Sequence, residues 1–215
     1  AQSEAANGKE FAKYWMHNGF LNIDNRKMSK SLGNFFTVRE ISEKYDLQVL
    51  RFFMLSAHYR SPLNFSAEVM EAAKNGLNRI VTAAENLKFL MGSAKTVTMT
   101  EEERQKYEAS SQYAASFEKA MDDDFNTADA IAAVFDYVKY INTNVGQDSS
   151  KEFLERLYGR LSTLTDVLGI IVDRKEEMLD ADIEALIEER QAARKEKNFA
   201  RADAIREELL AKGII

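Results

Sequence analysis

Residues 27–31 carry the most distinctive chemistry of the chain. They read Lys27-Met28-Ser29-Lys30-Ser31 and are followed by Leu32-Gly33-Asn34. The two lysines supply positive charge, the two serines supply hydroxyl donors, and Gly33 gives the backbone freedom to move. These properties suit a loop that binds a polyphosphate while a bond to its α-phosphorus is made and broken. The alternative is a solvated basic turn, and the pattern favours the polyphosphate-binding loop.

The five-residue string matches the second signature loop of class I aminoacyl-tRNA synthetases, usually written KMSKS. Other segments narrow the resemblance to one family. They read KYWMHNGFL at 13–21, FFTVRE at 35–40, HYRSPLNFS at 58–66 and DDDFNT at 122–127. Together with the pattern over 184–213, these segments resemble cysteinyl-tRNA synthetase of the bacterial type along nearly the whole chain.

This resemblance implies a ligase that activates cysteine with ATP and Mg²⁺ and transfers it to tRNA(Cys). The family also carries a first His-x-Gly-His-type signature and a Zn²⁺ ion held by cysteines, a histidine and a glutamate. Here the only histidines are His17 and His58, neither in such a context, and there is no cysteine. We therefore expect this chain to be a C-terminal part of the ligase that is inactive alone. The zinc ligands are expected to lie outside this chain, and no metal site is expected within it.

The resemblance also implies roles for the loop residues. In the family the second lysine meets ATP, so Lys30 is the first candidate and Lys27 the second for stabilising the charge that develops on the leaving pyrophosphate. The expected ATP-binding residues are Lys27, Met28, Ser29, Lys30 and Ser31. His17 and Trp15, on a predicted strand near the loop, are expected to be packed residues rather than nucleotide contacts.

A basic stretch near the C-terminus is a candidate RNA site. Between residues 190 and 206 the chain has six basic and two acidic side chains, a net charge of +4. By itself this pattern is typical of a solvated helix face. The resemblance implies a unit that reads the anticodon, with Arg194 and Asp203 as the base-reading candidates and Arg201 beside them. Arg60 is a candidate phosphate contact, with simple packing as the alternative.

Composition bounds the remaining possibilities. The 215 residues exceed the common size of one domain and carry a net charge of −6, so RNA binding requires a local basic patch. With no long apolar run, a cytoplasmic protein with no membrane contact is expected. We expect a monomer that binds tRNA(Cys) and ATP.

The sequence predicts a mainly α protein in four parts. Residues 1–45 are expected to be the end of a Rossmann-type catalytic domain, with a helix over 1–12, strands over 14–17 and 20–23, a turn at Asp24-Asn25 and a helix over 38–45. Residues 46–66 are expected to form a connection like a stem-contact segment. An antiparallel helical bundle, like a DALR domain, is predicted over 67–175, and a small anticodon-binding helical unit, truncated, over 176–215.

Periodicity and capping signals place the helices. Asp46 is expected to cap a helix with Leu47, Leu50 and Met54 on one face. Four bundle helices follow. The first ends at Gly92, and the second begins with a capping box of Thr100 and Glu103. The third is capped by Asn126 or Thr127 and ends at Gly146. The fourth begins with Ser149 and Glu152 and ends at Gly169. The inward residues expected in the last unit are Ile183, Leu186 and Ile187, then Phe199, Ala202, Ile205 and Leu209, with Asn198 as a cap and Gly213 as the end.

Two alternative functions stay open on the sequence. One is a non-catalytic helical module that binds tRNA and keeps a vestigial loop. The other is a related cysteine ligase of the mycothiol-biosynthesis type, which joins activated cysteine to an amine on a sugar.

Overall fold

The computed structural model describes residues 2–29, 31, 33–34, 37–172, 181–195 and 198–211, without the side chains at 181–185, 187, 195 and 211. The chain divides into two compact units, Ala1–Asp173 and Arg174–Ile215. The described residues are mainly helical, with one small sheet, as the sequence predicts.

Three short strands form the sheet in the order β2-β1-β3. β1 (Leu21–Ile23) pairs antiparallel with β2 (Arg26–Lys27) and parallel with β3 (Leu63–Phe65). Asp24 and Asn25 join β1 to β2 with φ angles of 45° and 62°. Positive φ at both turn positions gives a hairpin turn that matches the twist of the strands, so the predicted turn is confirmed.

The segment before the sheet differs from the prediction. Helix α1 (Gln2–Asn7) ends before Gly8, which has a φ of 61°, and does not reach residue 12. The strand predicted over 14–17 is wrong, because these residues form no ladder and their side chains are exposed. Strand pairing begins only beyond Gly19, whose amide donates to the Tyr59 carbonyl at 2.7 Å. A Cβ at Gly19 would overlap the backbone carbonyl of Ser61, so this close approach requires glycine.

Two helices connect the sheet with the bundle. α2 (Val38–Ser42) begins with an unpredicted capping box between Thr37 and Glu40, and the backbone hydrogen bond from Thr37 lowers the pKa of the Glu40 carboxyl. α3 (Leu47–Leu55) is capped by Asp46 as predicted, through a 2.8 Å bond from the Gln48 amide.

The apolar face predicted for α3 is not the face that the helix buries. Leu47 and Met54 are each 51% exposed, whereas Val49, Phe52 and Phe53 are buried. Phe53 packs edge-on against Phe65 of β3 and Phe52 packs edge-on against Phe135 of the bundle. The helix turns this face inward because it is packed on two sides, by the sheet and by the bundle.

The bundle contains α4 (Ala67–Ser93), α5 (Glu101–Ala109), α6 (Ser111–Asp122), α7 (Thr127–Asn144) and α8 (Lys151–Val167). Its core contains apolar residues that recur at helical spacing in the sequence, although Val69 of the same pattern is 37% exposed. The fully buried residues of this pattern include Leu77, Ile80, Leu87, Ile141, Leu154, Leu157 and Leu161, and Met70, Tyr137 and Phe153 are fully buried beside them. The Asn126 side chain caps α7, as one of the two predicted alternatives. Gly169 closes α8 with a φ of 64°. The expected antiparallel helical bundle is confirmed.

Two details of the bundle differ from the prediction. The helix predicted to begin after Thr100 is divided at the buried Ser110, whose hydroxyl donates to the Tyr107 carbonyl at 2.7 Å. Arg160 also donates to that carbonyl at 3.0 Å, so the freed acceptor is satisfied. The cap of α8 is Ser150 rather than Ser149, and Ser149 instead accepts from the Gly146 amide.

The second unit contains α9 (Ala181–Lys195) and α10 (Phe199–Ala211), which pack against each other. Ala202, Ile205 and Leu209 are buried as predicted, but Phe199 is 62% exposed, which corrects its predicted inward position. Phe199 is the first residue of its helix, where no neighbouring turn covers it. The Asn198 side chain accepts from the Arg201 amide and caps α10 as predicted. The predictions for Ile183, Ile187 and Gly213 fall outside the described side chains.

Candidate nucleotide and RNA sites

The loop that begins at Lys27 leaves the edge strand β2 and is held by Asn34. The Asn34 side chain accepts from the Ser29 amide at 2.9 Å and donates to the Lys27 carbonyl at 3.2 Å. One amide group therefore fixes the beginning of the loop to its end. Gly33 has a φ of 67° and leaves open space where a side chain would stand. Sequence reasoning missed Asn34 as a loop residue, although asparagine is a common turn residue because its side chain bonds to nearby backbone.

The loop presents hydroxyl and ammonium groups. The Ser29 and Ser31 hydroxyl oxygens lie 2.8 Å apart, so one donates to the other. The exposed Lys27 places its Nζ atom 5.8 Å from the centre of the Phe20 ring, which is favourable for a cation. Met28 is half-buried. Lys30, the first catalytic candidate, lies outside the described residues.

An exposed apolar segment precedes the loop. Tyr14 is 87% exposed, Trp15 67% and Phe20 71%. The prediction that Trp15 packs in the core is therefore wrong, and His17 is exposed as well. Within the described residues no other element covers this segment. Its apolar side chains are therefore exposed, although the sequence predicts a packed Trp15.

Arg60 lies in a cluster of polar contacts that joins the connecting segment to the bundle. Its Nη2 atom lies 2.8 Å from Oδ2 of Asp124, and its Nε donates to the Tyr59 hydroxyl at 3.0 Å. The Tyr59 hydroxyl in turn donates to Oδ1 of Asp124 at 2.9 Å. The bond to Tyr59, followed by the Asp124 charge, raises the pKa of the Arg60 guanidinium. His58 stacks on the Tyr59 ring, with centroids 4.8 Å apart.

The Asp124 loop has an unusual backbone. Asp124 and Phe125 both have a φ of 55°, and neither is glycine. The left-handed conformation costs about 1–2 kcal/mol per residue, though asparagine and aspartate tolerate it best. The neighbouring Asn126 caps α7, whereas Asp124 contacts the connecting segment.

The C-terminal candidates lie on the two helices of the second unit. Arg194, on α9, and Asp203, on α10, are exposed. Arg201 is bound to Glu189 of α9, with its Nη2 2.8 Å and its Nε 2.9 Å from the same carboxylate oxygen. The Nε of Arg190 is buried with no hydrogen-bond partner in the described part of the chain.

Within the described residues no group of three or more acidic or histidine side chains is arranged to hold a metal ion, so these residues do not fit the zinc ion of the family. No helix within the described ranges combines the length and the apolar character needed to span a membrane.

Comparison with known proteins defines the class. The tRNA synthetases class I (C) catalytic domain matches residues 1–75 and the DALR domain matches residues 116–172. The LeuRS of Agrobacterium radiobacter K84 agnB2, solved in a ternary complex with tRNA and LeuAMS, shares the fold with a TM-score of 0.55. It is 20% identical, and the match covers 74% of this chain and 22% of that chain. The fold and the signature loop are those of a class I aminoacyl-tRNA synthetase.

Further similarities define the family. The cysteinyl-tRNA ligase anticodon binding domain matches residues 176–215. Over all of this chain, the cysteine–tRNA ligases of Lachnospira eligens, Lachnoclostridium phytofermentans and Clostridioides difficile are 66%, 54% and 50% identical. The chain belongs to the cysteinyl-tRNA ligase family, which confirms the resemblance seen in the sequence. It spans about half the length of these relatives, 46–47%.

Proposed function

We propose that this chain supplies the signature loop and the tRNA-binding helices of a cysteine–tRNA ligase, which activates cysteine with ATP and transfers it to tRNA(Cys). The observation that carries the proposal is the 66% identity over all 215 residues to a relative of that name. In this proposal residues 1–45 bear the loop, 46–66 form the connection, 67–175 the bundle and 176–215 the anticodon-binding unit.

The loop would act during formation of the cysteinyl adenylate. The cysteine carboxylate attacks the α-phosphorus of ATP, the bond to the bridging oxygen breaks, and pyrophosphate leaves with the negative charge. An ammonium group beside the leaving group lowers the barrier because its stabilisation grows as that charge develops. We assign this role first to Lys30 and second to Lys27, with hydrogen bonds from Ser29 and Ser31.

The geometry of the loop supports this assignment. The Asn34 side chain ties the Ser29 amide to the Lys27 carbonyl, so these described parts of the loop are joined before any phosphate binds. A preorganised loop loses less conformational entropy on binding, which raises affinity without further contacts.

The second unit would contact the anticodon. Arg194 and Asp203 are exposed, as base-reading residues must be before RNA binds. The guanidinium can donate two hydrogen bonds to a guanine edge, and the carboxylate can accept from an exposed amino group. Arg201 would contact the RNA beside them. The match of this unit to an anticodon binding domain favours tRNA over a sugar amine as the acceptor of cysteine.

RNA recognition is tested with the 215-residue chain. Binding is measured for a tRNA(Cys) transcript and for the same transcript with a changed anticodon, across a salt series. The cognate transcript is expected to bind more tightly, and Arg194→Ala or Asp203→Ala is expected to remove the difference. The matched controls Arg206→Ala and Glu207→Ala change the same charges at exposed positions of α10 and should keep it. Equal binding of both transcripts to the unmodified chain would contradict anticodon reading.

The catalytic assignment is tested in a chimera. The chain replaces the matching region of the Lachnospira eligens ligase, and cysteine-dependent exchange of pyrophosphate into ATP is followed. Lys30→Ala is expected to depress exchange strongly while tRNA affinity stays unchanged. Lys44→Ala, an exposed lysine after α2, is the control and should leave exchange intact. Normal exchange in the Lys30→Ala chimera would refute the assignment.

A further inference from the structure

We infer that Asp124 is a positioning residue, which holds the Arg60 guanidinium ready to contact an RNA phosphate. The inference rests on the proposed function, because it takes Arg60 as a tRNA contact. In this arrangement the Asp124 carboxylate assists the binding of RNA, although its negative charge alone would oppose that binding.

The contacts of Arg60 leave one part of its guanidinium available. Nη2 lies 2.8 Å from Asp124 and Nε donates to the Tyr59 hydroxyl, while the side chain as a whole is 66% exposed. These two bonds use one edge of the planar group. The Nη1 side remains for an acceptor from solvent, and a phosphate oxygen is an acceptor that arginine binds well.

Both oxygens of Asp124 are committed to this arrangement. Oδ1 accepts from the Tyr59 hydroxyl at 2.9 Å, and Oδ2 faces Arg60 at 2.8 Å and His58 Nε2 at 3.7 Å. The Tyr59 hydroxyl donates to Asp124 and accepts from Arg60, so the three side chains form a closed ring of hydrogen bonds. The Tyr59 ring also lies beneath the guanidinium, with Cζ of Arg60 5.5 Å from its centre. A long flexible side chain is thereby confined to one geometry.

The backbone supports the same conclusion. The left-handed conformations of Asp124 and Phe125 turn the loop after α6 so that the Asp124 carboxylate meets residues 58–60. Unfavourable backbone conformations in folded proteins persist where the surrounding contacts hold them, and they are common at functional positions. The neighbouring Asp123 has no hydrogen bond or ion pair of its side chain within the described residues, so the contacts belong to Asp124 specifically.

The direction in which RNA affinity changes when the carboxylate is removed distinguishes positioning of Arg60 from simple repulsion of RNA. Removing a carboxylate beside bound RNA reduces repulsion and tightens binding. If Asp124 positions Arg60, removing its charge weakens binding instead. Asp124→Asn is suitable because asparagine tolerates the left-handed backbone, and Asp123→Asn removes the same charge one residue away.

The experiment measures binding of the 215-residue chain to a tRNA(Cys) transcript at several salt concentrations. Asp124→Asn is expected to weaken binding by about twofold to fivefold, because an exposed ion pair contributes only modestly. Asp123→Asn is expected to bind as tightly as the unmodified chain or slightly more tightly. Arg60→Ala should reduce the slope of log K against log salt by about 0.7–0.9, the range for one phosphate contact in single strands and duplex DNA. In the Arg60→Ala background, Asp124→Asn should have no further effect.

Tyr59→Phe is a second variant that leaves the net charge unchanged. It removes both hydrogen bonds of the hydroxyl and is expected to weaken binding by about twofold, so it carries the test if Asp124→Asn does not fold. Asp124→Asn or Tyr59→Phe binding as tightly as Asp123→Asn would overturn the inference while leaving tRNA binding intact. Failure of the unmodified chain to bind the transcript at any salt concentration would overturn the tRNA-binding function and this inference together.

Discussion

The carboxylate of Glu103 accepts hydrogen bonds from both the backbone amide and the hydroxyl of Ser150, each at 2.8 Å. The same carboxylate accepts from the Thr100 amide at 2.9 Å and so closes the capping box of α5. Ser150 caps α8, so one side chain stabilises the N-termini of two helices. A negative charge at these positions is also favoured by the dipoles of both helices.

The Glu103 contacts predict a pH dependence. Burial raises the pKa of the Glu103 carboxyl, but the hydrogen bonds from Ser150 and Thr100 outweigh it, so that the net pKa is lowered from 4.5. A carboxyl with a lowered pKa in the folded state stabilises the fold above the unfolded pKa, and the contribution is lost as the pH falls through the folded value. Glu103→Gln is therefore expected to lower the melting temperature at pH 7 and to narrow its difference from the unmodified chain towards pH 3. Thermal unfolding followed by circular dichroism measures this.

Glu108→Gln is the control for this prediction. Glu108 is an exposed residue of the same helix α5, and its side chain has no hydrogen bond or ion pair in the described part of the chain. The substitution should leave the melting temperature unchanged across the pH range. An equal effect of the two substitutions at pH 7 would argue against a special role for Glu103.

A pair of glycines predicts opposite responses to alanine. Gly19→Ala places a methyl group against the Ser61 carbonyl, and relieving that overlap must separate the segment from its hydrogen bond to Tyr59. We expect a loss of about 1–3 kcal/mol in the free energy of unfolding. Gly159 lies exposed within α8 with open space around its Cα, so Gly159→Ala is expected to stabilise the protein by about 0.5–1 kcal/mol. Chemical denaturation of both variants tests the pair, and a destabilised Gly159→Ala would be the contrary result.

The buried Tyr137 hydroxyl predicts a moderate loss. It donates to the Leu157 carbonyl of α8 at 3.0 Å, and burial raises the pKa of the Tyr137 hydroxyl, so it remains a neutral donor. Tyr137→Phe is expected to cost about 1 kcal/mol, because the Leu157 carbonyl keeps its bond within the helix. Tyr113→Phe is the control, since the Tyr113 ring packs on Tyr137 but its hydroxyl has no hydrogen-bond partner within the described ranges. Equal unfolding free energies of the two variants would contradict the prediction.

The sequence predicts local features of this fold better than contacts between distant residues. The capping box of Thr100 and Glu103 follows from a spacing of three residues and is found as predicted. The second role of Glu103, at Ser150, joins positions 47 residues apart, and no local pattern indicates it. For the same reason, helical periodicity predicted apolar core positions of the bundle but not the buried face of α3. On that face Phe52 contacts Phe135 of the bundle and Phe53 contacts Phe65 of the sheet.

The same contrast between features that residue types reveal and features that depend on contacts applies to the candidate sites. The signature string predicts the loop from residue types alone, because two lysines and two serines at this spacing suit the binding of a polyphosphate. Asn34 acts through the Lys27 and Ser29 backbone groups and Asp124 acts through Arg60, so neither has a chemical signature of its own in the sequence. The exposure of Trp15 could not be predicted either, since it depends on which elements cover the segment.

Asn34 gives a prediction about the loop itself. Its side chain accepts from the Ser29 amide and donates to the Lys27 carbonyl, so Asn34→Ala removes both bonds and leaves the lysines in place. In the chimera with the Lachnospira eligens ligase, we expect weaker ATP binding and slower pyrophosphate exchange, because the loop must then be ordered at the cost of binding energy. Asn34→Asp keeps the acceptor and loses the donor, so its exchange rate should fall between those of Asn34→Ala and the unmodified chimera. Lys44→Ala, at the exposed lysine after α2, is again the control and should leave exchange unchanged. If Asn34→Ala exchanged pyrophosphate at the normal rate, the loop would not need this side chain to hold ATP.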